Sequence, residues 1–304
     1  LRAELREAGH RFSGQSDTEV MLAAIVQWGL EAALDRLIGM FAFALWDRTR
    51  RELHLVRDRL GIKPLYYAAL DGLVLFGSEL RALRRHPEFD SVIDRNALGL
   101  YLKRNCIPAP FTIFERVRKL MPGTVLTFTA DGGSPRDRSF WSLRRVVEAG
   151  ADDPFRGSEA EASDELERLL REAVRERMVA DVPLGVFLSG GVDSSTVAAL
   201  MQQAGDGRAK TFSIGFHDAA YDEAKDAAAV ARHLGTDHHE LYLGEREALA
   251  VVPDLATMFD EPFADASQIP TFLVSEMARR DVTVVLSGDG GDEVFGGYNR
   301  YLWV

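Results

Sequence analysis

The sequence predicts an α/β protein in two parts, the second a doubly wound parallel sheet. Three observations carry that reading. Short aromatic and branched runs crowd residues 40–76, separated by turn residues. From Ser158 onward, strand-length apolar runs alternate with helical patterns, the order of a parallel sheet with crossover helices. Between them, Asp131 to Gly157 is dominated by glycine, proline and unpatterned charge, which marks a boundary.

The first part opens with Ser16-Asp17-Thr18-Glu19, a capping-box pattern with glutamate three residues after serine. It starts a helix through Val20, Ala24 and Trp28, and a second short helix fits Leu30 to Leu37. Strands are expected at Met40–Trp46, Glu52–Arg57, Leu65–Ala69 and Leu73–Phe76. The last lacks clean alternation, as expected of strands covered on both faces. Phe41, Phe43, Trp46, Tyr66 and Tyr67 read as core aromatics. A helix follows at Arg95–Arg104 and a strand at Val125–Thr129.

The second part opens on another capping box, Ser158 with Glu161. Its helix carries Leu166, Leu169, Leu170, Ala173, Val174 and Met178 on one core-facing stripe. Strands are then expected at Leu184–Leu188, Lys210–Phe216, Glu240–Leu243 and Val282–Leu286. Helices are expected at Ser194–Gln203, Glu223–Leu234, Glu245–Met258 and Ile269–Arg279. In such sheets ligands sit beyond the carboxyl ends of strands. Two polar clusters fall there, Ser189–Ser195 and Ser287–Glu293.

Bulk properties narrow the partners. The 304 residues carry a net charge of −11, which disfavours tracking nucleic-acid phosphates or an anionic membrane. A single cysteine, Cys106, excludes an internal disulfide and a Cys-rich metal site, and fits a reducing cytoplasm. Cys106 reads as a small buried hydrophobe. No signal peptide or membrane span is visible. The chain begins at Leu1 and its last residues carry no stop signal, so both ends are expected to be cut.

Ser189-Gly190-Gly191-Val192-Asp193-Ser194-Ser195 carries the chemistry. Two glycines let the backbone pass close to a ligand and admit positive φ. Amides at the following helix N-terminus face an anion, and the serine hydroxyls add donors. Neither a Walker A nor a G-x-G-x-x-G pattern is present. A glycine turn with a helix cap is the plain alternative; the whole heptapeptide between strand and helix favours phosphate. In Ser287-Gly288-Asp289-Gly290-Gly291-Asp292-Glu293 three acids lie within five residues and repel unless a cation or substrate ammonium intervenes. Asp193 and Asp292 are therefore paired as ligands for Mg²⁺, a hard octahedral ion that suits two carboxylates with phosphate oxygens and waters. His238-His239-Glu240 lacks H-E-x-x-H spacing and reads as structural.

SGGVDSS resembles the pyrophosphate loop of the ATP pyrophosphatases, and above all that of the glutamine-hydrolysing asparagine synthetases. DVPLGVFLSGGVDSS, TFSIGF, YDEA, DEPFADASQIPT and LSGDGGDEVFGGYNRY agree with that family. The resemblance implies that Ser189, Gly190, Gly191, Asp193, Ser194 and Ser195 hold ATP and its pyrophosphate. It implies that Leu188, Ile214, Ser287 and Gly288 line the nucleotide, and that Asp193 and Asp292 bind Mg²⁺. Asp289 falls where many members carry a glutamate that handles protons during ammonia attack. Asp260-Glu261 and Asp265 are acid/base candidates or parts of a loop lining the ATP cleft.

FSGQSDTEV, LIGMFAFALWD and LVRDRLGIKPLYY resemble the later part of a glutamine amidotransferase domain of the N-terminal-nucleophile kind. The nucleophilic cysteine of that family is not in this sequence, and Cys106 does not match it. Asp17 matches the aspartate that binds the glutamine α-amino group, though an acid in a first helical turn is favourable anyway.

The combined expectation is an incomplete αββα-type domain at 1–140, a linker at 141–157, and a C-terminally truncated ATP-pyrophosphatase domain at 158–304. The implied reaction converts aspartate, glutamine and ATP to asparagine, glutamate, AMP and pyrophosphate through an acyl-adenylate. Open alternatives are a relative amidating another carboxylate (a sugar acid, peptide or β-lactam precursor) and a catalytically silent ATP binder. A tRNA-thiolating relative is disfavoured by the acidic charge and the lack of C-x-x-C. Partners are small molecules, without nucleic acid or membrane; a homodimer is compatible with this.

Overall fold

The computed structural model describes residues 1–216, 223–298 and 301. Tyr221 and Asp222 of the YDEA stretch, and Asn299 and Arg300 of the last motif, lie outside the described residues. The chain forms two compact units. Unit 1 is Leu1–Pro154 with Phe259–Ala264; unit 2 is Phe155–Met258 with Asp265–Val304.

Unit 1 contains α1 (Arg2–Glu7), α2 (Asp17–Arg36), β1 (Ala42–Asp47), β2 (Glu52–Arg57), β3 (Tyr66–Leu70), β4 (Leu73–Gly77), α3 (Leu80–Leu83), α4 (Arg95–Arg104), β5 (Arg118–Lys119), β6 (Thr124–Thr129), β7 (Arg136–Ser139) and α5 (Leu143–Asp152). Ser16 caps α2, its hydroxyl accepting from Thr18 N–H at 3.2 Å. Glu19 does not close the expected box. Its carboxylate takes the Ser13 and Gly14 amides at 2.7 and 3.0 Å, which hold its carboxyl below the usual range. The two expected helices are both present within α2, divided at Gly29, whose φ of 82° and ψ of 162° are not helical.

Two antiparallel sheets form, ordered β1-β2-β6-β7 and β4-β3-β5. Alternate residues of single strands enter different cores, which is why the strands lack clean hydrophobic alternation. Leu55 and Leu126 meet Tyr67 and Val74 between the sheets. Their neighbours Val56 and Val125 face Leu30, Leu34 and Leu37 around α2. On the other side Ala68 and Leu75 face Leu80, Leu83 and Ala97 of α3 and α4. The result is the helix–sheet–sheet–helix layering expected of an αββα domain.

Two expectations need correction here. Trp46 is 49% exposed rather than core; it shares a face with Ala42 on edge strand β1. Cys106 is only partly buried. Within Asp131–Gly157, where the boundary is expected, the division between the units falls after Pro154. The stretch carries structure of its own: β7 pairs with β6, and α5 leaves Leu143, Val146 and Val147 exposed.

Unit 2 contains α6 (Glu159–Arg177), β8 (Leu184–Phe187), α7 (Val192–Ala204), β9 (Lys210–Phe216), α8 (Ala224–Leu234), β10 (Asp237–Leu243), α9 (Glu245–Val251), a 3₁₀ turn (Val252–Asp254), α10 (Leu255–Met258), α11 (Gln268–Ala278), β11 (Val284–Leu286) and α12 (Gly291–Phe295). The Ser158–Glu161 capping box is formed. Leu170, Val174 and Met178 of the expected stripe pack in the core, whereas Leu166 and Leu169 remain exposed. Pro253 interrupts the helix expected over 245–258.

All four strands are parallel, ordered β10-β9-β8-β11. Val186 and Leu286 face α6, α7 and α8, while their neighbours Phe187 and Val285 face α11. The sheet is therefore covered on both sides, as a doubly wound fold requires. Among the described residues no helix is long and apolar enough to cross a membrane.

Phe212 of β9 is fully buried among Val274, Ala278 and Val282. Gly185 leaves room for it, since a Cβ there would stand 2.6 Å from its ring. Phe212→Ala is expected to destabilise unit 2 by about 3–5 kcal/mol, read from urea unfolding.

Candidate active site

Strand β8 ends at Phe187, and the chain turns through Ser189-Gly190-Gly191 into α7. Gly190 has φ of 82°, and a Cβ on it would lie 2.8 Å from Ala227 N. Glycine is thus required there twice, by conformation and by the closeness of α8. Gly191 caps α7 with no side chain, so the amides of the first turn are left open.

The serines divide their work. Ser194 is buried, and its hydroxyl braces the loop from inside. It accepts from Ser189 N–H at 3.1 Å, meets Ser189 Oγ at 2.9 Å and donates to Gly191 O at 3.3 Å. It is therefore no spare donor, against the expectation that every serine hydroxyl adds one. Ser195 Oγ is buried without a hydrogen-bond partner among the described residues. A buried hydroxyl left unpaired is costly, and an anion at the loop would satisfy it.

Strand β11 pairs directly with β8, Leu286 opposite Val186, so Ser287–Glu293 emerges beside the first loop. A Cβ on Gly288 would stand 2.8 Å from Ser194 N and 3.0 Å from Asp193 Cβ. A Cβ on Gly291 would collide with the Asp193 carboxylate. Residues 193 and 288–291 are thus in contact, which the strand ends alone could only suggest. Asp292 sits in the first turn of α12, its carboxylate against Gly297. Asp289 is exposed and accepts from Ser287 Oγ at 2.9 Å. Among the described residues no group of three or more His, Cys, Asp or Glu side chains could hold a metal. The Asp193 carboxylate lies against Gly291 and that of Asp292 against Gly297. The open amides and the orphaned Ser195 hydroxyl fit an anion, and a cation beside it would need phosphate oxygens and waters to complete its shell.

Leu188 is 2% exposed with its N–H bonded to Phe212 O at 2.9 Å, and Ser213 Oγ donates to its carbonyl. Ile214 is half-buried between the α11 and α9 cores. Both can form wall and neither offers a free polar group. Asp17 is the first residue of α2 and accepts from Thr18 N–H at 2.7 Å. It borders a cleft of about 620 Å³ with Gln15, Arg2 and Arg36.

Asp260 and Glu261 lie in unit 1, where Asp260 accepts from Leu80 N–H at 2.6 Å and Glu261 from Ile113 N–H at 3.2 Å. Asp265 lies in the turn before α11, where the Ser267 hydroxyl and then the Ser267 N–H, at 2.7 Å, keep its carboxyl below the usual range. His238 and His239 lie in β10; His238 Nδ1 meets Thr211 Oγ1 at 2.8 Å and His239 stacks on Phe212. Both act as structural residues of the sheet.

Residues 165–304 match the family model for asparagine synthase, and residues 1–141 that for a glutamine amidotransferase domain. The chain is 39% identical to a putative glutamine-hydrolysing asparagine synthetase of Methanocaldococcus jannaschii, covering 94% of this chain and 55% of that protein. It is 36% identical to asparagine synthetase 1 of Bacillus subtilis, covering 99% and 46%. Amidase chyE of Penicillium rubens is 30% identical over 96% of this chain and 44% of its own length. The chain spans about half the length of the curated relatives it matches. Among solved structures, a glutamine-dependent NAD⁺ synthetase from Acinetobacter baumannii aligns with a TM-score of 0.37 at 15% identity, over 94% of this chain and 67% of that one, too low to bear on function.

Gly190→Ala must take a strained φ and push against Ala227. It is expected to destabilise unit 2 by roughly 1–3 kcal/mol, measured by urea unfolding.

Proposed function

The chain belongs to the glutamine-hydrolysing asparagine synthetase family, and on that premise we propose that it serves ATP-dependent amide formation. Aspartate, glutamine and ATP would give asparagine, glutamate, AMP and pyrophosphate. The observation that carries the reading is the junction of the two loops: Gly288 and Gly291 lie against Asp193 and Ser194. A pyrophosphate loop and an acidic loop at one sheet edge suit a reaction that splits ATP between its α and β phosphates.

A carboxylate is a poor acyl electrophile. Its oxygen attacks the α-phosphorus, the bond to the β-phosphate oxygen breaks, and the acyl-adenylate forms with release of pyrophosphate. Ammonia then attacks the acyl carbon and AMP leaves. The first-turn amides of α7 and the Ser195 hydroxyl would hold the departing pyrophosphate, with Ser189 and Gly191 shaping the loop around it. Asp193 and Asp292 would hold Mg²⁺, which supplies neutralisation of the charge spreading over the phosphates. Leu188 and Ile214 would wall the nucleotide beside Ser287 and Gly288. Ser287 donates to the Asp289 carboxylate, and Asp289 would take a proton from the attacking ammonia. In unit 1, Asp17 would bind the glutamine α-amino group at the mouth of its cleft.

A second reading keeps the same amide chemistry and changes the acceptor to another carboxylate. The two separate in one assay on the full-length enzyme: exchange of labelled pyrophosphate into ATP with aspartate or other acids. Aspartate-dependent exchange is expected. Exchange with another acid and not with aspartate would remove the asparagine assignment. Asp193→Asn is expected to lower the exchange rate by roughly 10²–10³-fold, the loss typical of a preorganised charge at the transition state; an unchanged rate would refute its Mg²⁺ role.

A further inference from the structure

Phe259–Ala264 comes from the later part of the chain, between α10 and α11, yet it is built into unit 1. Three separate attachments hold it there. Asp260 accepts from the amide of Leu80 at 2.6 Å and from Arg81 Nε at 3.0 Å. Glu261 pairs with Lys119 and accepts from the amide of Ile113. The Ala264 amide donates to Asn105 O at 2.8 Å. Asn105 is the left-handed C-cap of α4, φ 60°, so its carbonyl is set by the end of that helix.

The attachments differ in environment. Arg81 beside Asp260 is half exposed, so water screens that pair. The Glu261 and Lys119 side chains are only 13% and 15% exposed. Lys119 also donates to Ile107 O. Burial pushes the Glu261 carboxyl above its usual range in spite of the ammonium beside it. Tyr66, packed nearby, has its hydroxyl pushed up to about 12, first by burial and then by Glu261 and Asp260. A pair so enclosed is near balance between desolvation and attraction. Removing one partner strands the other charge, whereas removing both is nearly neutral.

Beneath the segment lies a cavity of about 340 Å³. Tyr66, Cys106 and Lys119 form one wall and Phe259, Glu261 and Phe263 the other. The segment therefore supplies one side of this partly open cavity.

We propose that Phe259–Ala264 is a strap fastened into unit 1, and that the buried Lys119–Glu261 pair is its release point. When the pair is broken on one side, the strap detaches and the cavity loses that side, which exposes Cys106 further. Charge balance, rather than either side chain's bulk, keeps it closed.

The full chain tests this with Glu261→Gln, Lys119→Met and the double variant. Hydrogen exchange at the Ile113, Leu80 and Ala264 amides reports attachment. Labelling of Cys106, the chain's one cysteine, by a thiol reagent reports the open cavity. Each single variant is expected to speed local exchange and Cys106 labelling roughly tenfold or more, as a local opening would. The double variant is expected to return both close to the parent rates. Protection of Val56 and Leu126, in β2 and β6, is expected to stay unchanged. The proposal is overturned if the single variants label and exchange as the parent does, or if the double is as open as either single. It is also overturned if Val56 and Leu126 lose protection together with the strap, since release would then be general unfolding.

Discussion

The candidate site depends on one close approach, glycine backbone laid against the first turn of α7. A side chain at Gly288 would sit 2.8 Å from Ser194 N, and one at Gly291 would strike the Asp193 carboxylate. A side chain at 288 meets backbone and would push the two loops apart, whereas one at 291 would displace the Asp193 carboxylate. The approach is possible because β11 pairs with β8 in parallel, so the chain leaves both strands at the same edge. That pairing is stable in turn because the strands are apolar on both faces. Val186 and Leu286 bury against one helical layer, Phe187 and Val285 against the other. Sequence pattern, sheet order and site geometry form one chain of causes.

The architecture was legible where hydrophobic period and turn chemistry agreed. In unit 2 the β/α alternation predicted parallel, two-sided burial, and the Ser158–Glu161 capping box marked the start of α6. In unit 1 the missing alternation of β4 was itself the signal, because Val74 and Leu75 serve two different cores. Legibility failed where position in the sheet decides. Nothing in IGMFAFALW distinguishes a central strand from the edge strand that leaves Trp46 in solvent. The polar strand β7, RDRS, has no apolar face to reveal it and exists because β6 offers a free edge. Glu19 stands three residues after Ser16 yet turns back to Ser13 and Gly14, since those amides lie nearer to its carboxylate.

The site was legible as types of residue and less so as roles. The heptapeptide pattern located the strand-to-helix loop, but only the folded geometry separates Ser194, turned inward as a brace, from Ser195, buried and unpaired among the described residues. Asp260 and Glu261 show the opposite limit. As a pair of adjacent acids they read as acid/base candidates, and the structure adds that they fasten to backbone and Lys119 in unit 1. No local pattern encodes a contact with partners so far away in sequence. Adjacent acids in a proline-bearing segment could have prompted the question of what neutralises them, and Lys119 is the answer.

The account's central claim is that two separate loops make one phosphate site. It is tested most directly by a double-mutant cycle on pyrophosphate binding in the presence of Mg²⁺, measured by titration calorimetry. Ser195→Ala alters the first loop and Gly288→Ala the second. If the loops act as one site, the two losses are coupled, departing from additivity by more than about 0.5 kcal/mol. Losses that add within that margin, or a Gly288→Ala variant that binds as the parent does, would contradict the claim.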